Sequence, residues 1–159
     1  MDTSFGLEKF IWDEGDFEQM GWHDSKIYAL AFNDKDFEFV LDIDYVLKWV
    51  NPNEDESDFK FWVAPATLVF RNVWDLNIDL QGSIDLEIQD LHKENPHSPK
   101  NAKHIQESIE YDWRMETQNG EITFKSVGFK QYFRKNPILL NSQKIELEER
   151  GGISFEIMP

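Results

Sequence analysis

Cysteine is absent from the 159 residues. That excludes disulfide staples, thiolate metal sites and cysteine nucleophiles, and leaves the fold to its packed core. Long apolar runs are also missing. The longest hydrophobic stretches are strand-length, far short of the ~20 residues that span a bilayer, so no membrane partner is expected. The start, Met1-Asp2-Thr3-Ser4-Phe5, shows no basic segment followed by an apolar one. No signal peptide is therefore expected, and the cytoplasm is the expected compartment. Basic side chains are scarce, with 16 Lys and Arg against 31 Asp and Glu and a net charge of -15. Phosphates need cations to neutralise them, so nucleic acid and anionic lipid are disfavoured as partners. No glycine-rich phosphate loop and no G-x-S-x-G elbow occurs, and no cofactor is expected.

What the chain does have is aromatic mass and a strict alternation. Thirteen Phe and 6 Trp supply large areas to bury, which argues for an ordered core despite 30% charged residues. The length suits a single domain over 1–159. Phe37, Phe39, Leu41, Ile43 and Tyr45 alternate with Glu38, Val40, Asp42 and Asp44. Similar period-two runs cover Leu76–Leu80, Ile84–Ile88, Ile109–Met115, Ile145–Leu147 and Ile153–Ile157. One side of each run reads as core and the other as water, the pattern of antiparallel sheets. Turn signals separate the runs at Asn33-Asp34-Lys35, Gln81-Gly82-Ser83, Asn119-Gly120 and Gly151-Gly152.

The expected strands are 26–32, 36–46, 59–64, 67–73, 75–80, 83–90, 108–117, 121–128 and a final hairpin of 143–149 with 152–158. The expected fold class is all-β: an antiparallel sandwich or open barrel of about nine or ten strands with little helix. Short helical turns are expected at Thr3–Phe10 and Phe129–Lys135. Two stretches read as loops, acidic 51–58 and proline-containing 94–103.

The acid excess is not evenly spread. Residues 1–90 hold 21 acidic and 6 basic side chains, whereas 91–159 hold 10 of each. A lopsided charge steers partners more than it sets a fold, and the favoured partner is a basic protein. Asp42, Asp44, Asp85 and Glu87 alternate with core residues, so they are expected on the solvent face. A face of one sign is the candidate surface for that partner. Trp22, His23 and Asp24 join the candidate set because they precede the first strong strand, where Asp24 or Ser25 suits a turn clasp.

Metal chemistry finds little support. His23-Asp24 has no second His-Asp pair to complete a phosphohydrolase site, and no metal is expected there. His92, His97 and His104 lack the short fixed spacing of zinc sites and read as solvated loop residues. The acidic 51–58 segment lacks the central glycine of a calcium loop. Trp113 alternates with core residues; Trp49, Trp62 and Trp74 sit near strand ends, as core-rim packing or as an interface anchor.

Gly21-Trp22-His23-Asp24-Ser25-Lys26-Ile27 leads into a strand, Ala64-Pro65-Ala66-Thr67-Leu68-Val69-Phe70-Arg71-Asn72-Val73 follows, and Gly128-Phe129 lies near the end. In this order, over about residues 20–158, the chain resembles a family of small bacterial all-β immunity proteins of polymorphic toxin systems. The resemblance implies a non-enzymatic module that binds and blocks a cognate toxin, often a basic nuclease, and implies no catalytic residues. Its His-Asp motif implies a structural hallmark. Two rival expectations stand beside it. One is an enzymatic or ligand-binding β-barrel with a pocket near His23 and Asp24. The other is self-association through Ile153–Met158.

Overall fold

The computed structural model describes residues 5–158. Its strands are β1 (Ile11–Asp13), β2 (Ser25–Asn33), β3 (Glu38–Val50), β4 (Lys60–Arg71), β5 (Trp74–Leu80), β6 (Leu86–His97), β7 (Glu110–Thr117), β8 (Gly120–Ser126), β9 (Gly128–Phe133) and β10 (Ile138–Leu140). The helices are short: a 3-10 segment at Glu14–Gln19, α1 (Ala102–Ile105) and α2 (Leu147–Arg150). All ten strands form one antiparallel sheet in the order β1-β9-β4-β3-β2-β6-β7-β8-β5, with β10 also paired to β4. The all-β expectation is met, and the sheet is not closed.

The sheet bends back on itself at a three-residue ladder in its middle. β2 and β6 share only Ser25–Ile27 against Leu86–Ile88, while β2 slips register between Ile27 and Ala29. Beyond this neck the two halves face each other. Phe70 of β4 meets Phe124 of β8 at a centroid distance of 4.6 Å, although four strands separate them in the sheet. Phe39 reaches Phe124 at 5.5 Å, and Trp113 of β7 reaches Phe129 of β9 at 5.9 Å. The inward set Phe39, Leu41, Ile43, Leu68, Ile88, Met115 and Ile122 is fully buried. Each such side chain removed from water contributes about 1.5–3 kcal/mol, so the apolar packing between the halves holds them together.

Two departures from the sequence reading have physical causes. The strands expected at 59–64 and 67–73 are one strand, β4, running through Pro65. On that side β10 covers Phe61–Val63 and β9 covers Ala66–Arg71. Pro65 falls in the gap, where its missing N–H breaks no ladder, and its carbonyl accepts from the Arg134 N–H at 3.0 Å. The helical turn expected at Phe129–Lys135 is instead strand β9. Its alternation is masked because buried Gln131 takes an inward position, accepting the Trp22 indole N–H at 2.8 Å. Of the turn expected at Thr3–Phe10, Thr3 and Ser4 lie outside the described residues, and 5–10 is not helical.

The final hairpin also gives way. Residues 147–150 form α2, ended by Gly151 and Gly152 at φ 88° and 78°. Residues 153–158 then run without ladder pairing. The loop expected at 94–103 is strand as far as His97, and the strand expected from 83 begins at Leu86.

Candidate functional site

Folding the sheet gives each half an outer face, and the two faces differ. The outer face of β2, β3, β4 and β9 lies beneath the C-terminal segment. Here Asp42 and Asp44 of β3 are fully buried, not exposed as expected. Two arginines from the far end of the chain neutralise them. Arg150 donates to both Asp42 oxygens at 2.7 and 2.8 Å and to Asp44 at 3.0 Å, and Arg134 donates to Asp42 at 2.7 Å. The backbone N–H groups of Ile145 and Ser154 donate to Asp44 and Asp42 at 2.8 and 2.9 Å. Thr67 accepts from Arg134 and donates to the Glu156 carbonyl at 2.5 Å.

Burial pushes the Asp44 carboxyl above its usual range, with Arg150 pulling the other way. Arg150 stacks on the Tyr28 ring at 4.0 Å, and burial pushes the Tyr28 hydroxyl up to about 12. Alternation placed these two aspartates away from the aromatic core. It gave no sign of a second layer that fastens the C-terminal segment to the sheet.

The outer face of β6, β7, β8 and β5 carries no such cover among the described residues. Register brings four carboxylates into one row across these strands: Asp90 opposite Glu116, Glu116 opposite Glu121, and Glu121 opposite Asp79. Like charges set directly opposite cost stability, so this row is a structural liability on its own. Arg114 serves it, pairing with Glu116 and lying 3.9 Å from Glu121 and 3.2 Å from Glu94. Its hydrogen bond holds the Glu116 carboxyl below the usual range. His92 stands 3.2 Å from Glu116 and 3.6 Å from Asp90. Asp79, Glu116 and Glu121 share a shallow depression of about 550 Å³ with Gln89.

At the other end of the β6–β7 ladder sits a second polar cluster. Glu110 at the start of β7 is fully buried and accepts from the Trp74 indole at 2.8 Å. It also meets His97 Nε2 at 2.7 Å, while His97 Nδ1 lies 2.7 Å from the Asn95 carbonyl. The bond to Asn95 and then, against desolvation, the Glu110 carboxylate raise the His97 pKa. With both ring nitrogens engaged, His97 is a fastening at a strand end rather than the solvated loop residue expected, and it is not poised to shuttle protons.

No family model, curated protein or solved structure matches this chain. The geometry must therefore sort the candidate residues by itself. Trp22 is a core residue, 3% exposed and packed edge-on against Phe129 and Tyr45, so it offers no surface to a partner. His23 is exposed and pairs with Asp24 at 3.0 Å. Asp24 adopts φ 67° in a turn closed by the Ser25 N–H on the Trp22 carbonyl at 3.0 Å. That bond is backbone to backbone and not the side-chain clasp expected of Asp24 or Ser25: the Asp24 carboxylate faces His23, and the buried Ser25 hydroxyl meets no partner among the described residues. Asp85 is exposed but paired with Lys26, and Glu87 lies opposite Lys26 in the ladder. The candidate residues are thus scattered among core, turn, buried network and sheet neck. The row Asp79, Asp90, Glu116 and Glu121 was missed as a unit. Its members share the outward phase of their strands, but only strand order and register align them. Among the described residues no group of three or more His, Asp or Glu could hold a metal ion, and no helix is long and apolar enough to cross a membrane.

Proposed function

We propose that this chain is a non-enzymatic module that binds a basic protein through the outer face of β5–β8. More concretely, we read it as a cytoplasmic immunity protein that neutralises a basic toxin. One observation carries the reading: four carboxylates stand in register across an uncovered sheet face, served by one guanidinium among the described residues. A partner presenting Lys or Arg would convert that internal repulsion into binding energy and gain association rate by steering. The resemblance of Gly21–Ile27 and Ala64–Val73 to immunity proteins supports the same reading on separate grounds.

The test compares wild type with an Asp79→Lys/Glu121→Lys double variant in low-salt capture of basic proteins, beside a control reversed at Glu54 and Asp55 in the exposed β3–β4 loop. A basic protein retained by wild type and the control, lost from the double variant and released by salt, is the expected result. Equal retention by the double variant would remove this face from the interface. Growth rescue on co-expression with the captured protein separates an inhibitor of a toxin from a binder of some other basic protein.

A further inference from the structure

The open end of the sandwich holds a cavity that the protein-binding reading does not use. Its volume is about 180 Å³, and its walls are Phe5, Trp12, Met20, Tyr45 and Phe133, with Glu8 at the rim. Tyr45 and Phe133 are buried and form its floor, while Glu8 is exposed. Glu8 is the one carboxylate lining it, and no Lys, Arg or His does so among the described residues.

We propose that this cavity binds a small organic cation, a methylated ammonium that carries a hydrogen-bond acceptor. Three features select that chemistry. First, aromatic ring faces attract cations, and a desolvated aromatic cage suits a weakly hydrated alkylammonium better than a free ammonium. Two of the rings already take cations from residues that do not line the cavity: Lys9 lies 4.6 Å from the Trp12 centroid and Lys48 5.9 Å from that of Phe5. Lys9 is itself neutralised by Asp16 at 2.8 Å, which limits its repulsion of an incoming cation. Second, the lone carboxylate at the rim favours positive charge over neutral or negative ligands. Third, the hydroxyl of Tyr45, a lining residue, accepts the Gly21 N–H at 3.0 Å, and its own proton meets no acceptor among the described residues. Burial holds its pKa at about 12, so it remains a donor at neutral pH. An apolar ligand would leave that donor unmatched; a hydroxyl or ester oxygen would meet it.

The size sets the ligand's scale. At roughly 30 Å³ per water-sized group, the cavity admits about six such groups, a head group rather than a whole metabolite or a lipid tail. The cavity adjoins Gln19 and Met20, just before the Trp22–Ser25 turn, and none of the carboxylate row lines it.

The experiment titrates the full-length protein with choline, with its neutral isostere 3,3-dimethylbutan-1-ol and with tetramethylammonium, by calorimetry and saturation-transfer NMR. Choline is expected to bind saturably and about tenfold or more tighter than the isostere, the factor that a desolvated cation–π seat provides. Glu8→Gln, at an exposed rim position, should narrow that ratio with thermal stability unchanged. Tyr45→Phe should weaken choline and leave tetramethylammonium unaffected, which separates the acceptor contact from the cage. Equal binding of choline and the isostere would overturn the cation assignment, as would an unaltered ratio in Glu8→Gln. Absence of saturable binding by all three probes would overturn the site. Glu8→Gln keeps the proposal falsifiable even if Tyr45→Phe fails to fold.

Discussion

Arg150 makes more hydrogen bonds than any other side chain described. It spans Asp42, Asp44, the Ile43 carbonyl and the Gly152 carbonyl, all within 3.2 Å. Removing one member of a buried ion pair strands the other charge, at a cost of about 3–5 kcal/mol. Arg150→Ala should therefore lower the urea midpoint by that equivalent. Arg150→Lys should rescue little of it, because an ammonium cannot reproduce the planar fork that serves two carboxylates. A midpoint unchanged in Arg150→Ala would mean that the network stores no net stability. The sequence showed the positions of Asp42 and Asp44 but not this partner, since Arg150 lies more than a hundred residues away with no periodic relation to them. His97 supports a pH prediction at the same scale. Its folded pKa lies above the unfolded value of 6.5, so the folded state holds the proton more tightly. The ion pair with Glu110 contributes fully below that value and is lost as pH rises through the raised folded pKa. The difference in thermal midpoint between wild type and His97→Gln should be largest below pH 6.5 and shrink as pH rises through the raised folded pKa. A constant difference would show that protonation of the ring is not linked to folding.

Among the elements, turns and long alternating strands were the most legible. The Asn119-Gly120 signal does mark a hairpin, with Thr117 opposite Gly120. Glycine is required there on two counts: its φ is 132°, and a Cβ would stand 2.0 Å from the Asp79 carbonyl oxygen of β5. Gly120→Ala should destabilise by at least about 1–3 kcal/mol, the scale of an enforced backbone strain, with the β5–β8 ladder affected first. Hydrogen exchange can check this: protection should fall at Asn77–Leu80 before it falls in β3 or β4. Uniform loss across the sheet would contradict it. Other elements escaped the sequence because neighbours decide them. Pro65 reads as a strand break until β9 and β10 are seen to leave a gap there. Gln131 hides the alternation of β9 until Trp22 supplies its partner. The segment after Ile145 alternates like a strand, yet the pull of Asp44 on the Ile145 N–H and of both aspartates on Arg150 fixes a helical turn instead. Tertiary demand overrides local pattern where a buried charge must be met.

For the whole molecule, the charge split along the chain does not survive folding as a split in space. Asp42 and Asp44 from the acidic half are cancelled by Arg134 and Arg150 from the balanced half. The carboxylate row draws Asp79 and Asp90 from one half and Glu116 and Glu121 from the other. What distinguishes the two outer faces is cover: one is closed by the C-terminal segment and the other left bare by the described residues. A bare face of like charge implies a trade between stability and binding. Glu121 stands between two acids in register, and its near cation, Arg114, is already engaged by Glu116 and Glu94. Glu121→Gln keeps the shape and relieves the repulsion, so it should raise the thermal midpoint at low ionic strength. The gain should fade as salt rises, because exposed charges are screened within about 8–10 Å near physiological ionic strength. The same variant should associate more slowly with a basic partner at low salt. Both effects follow from one charge, so they must move together: a variant that gains stability yet keeps the wild-type association rate would show that the row is a tolerated defect of the sheet and not a binding surface.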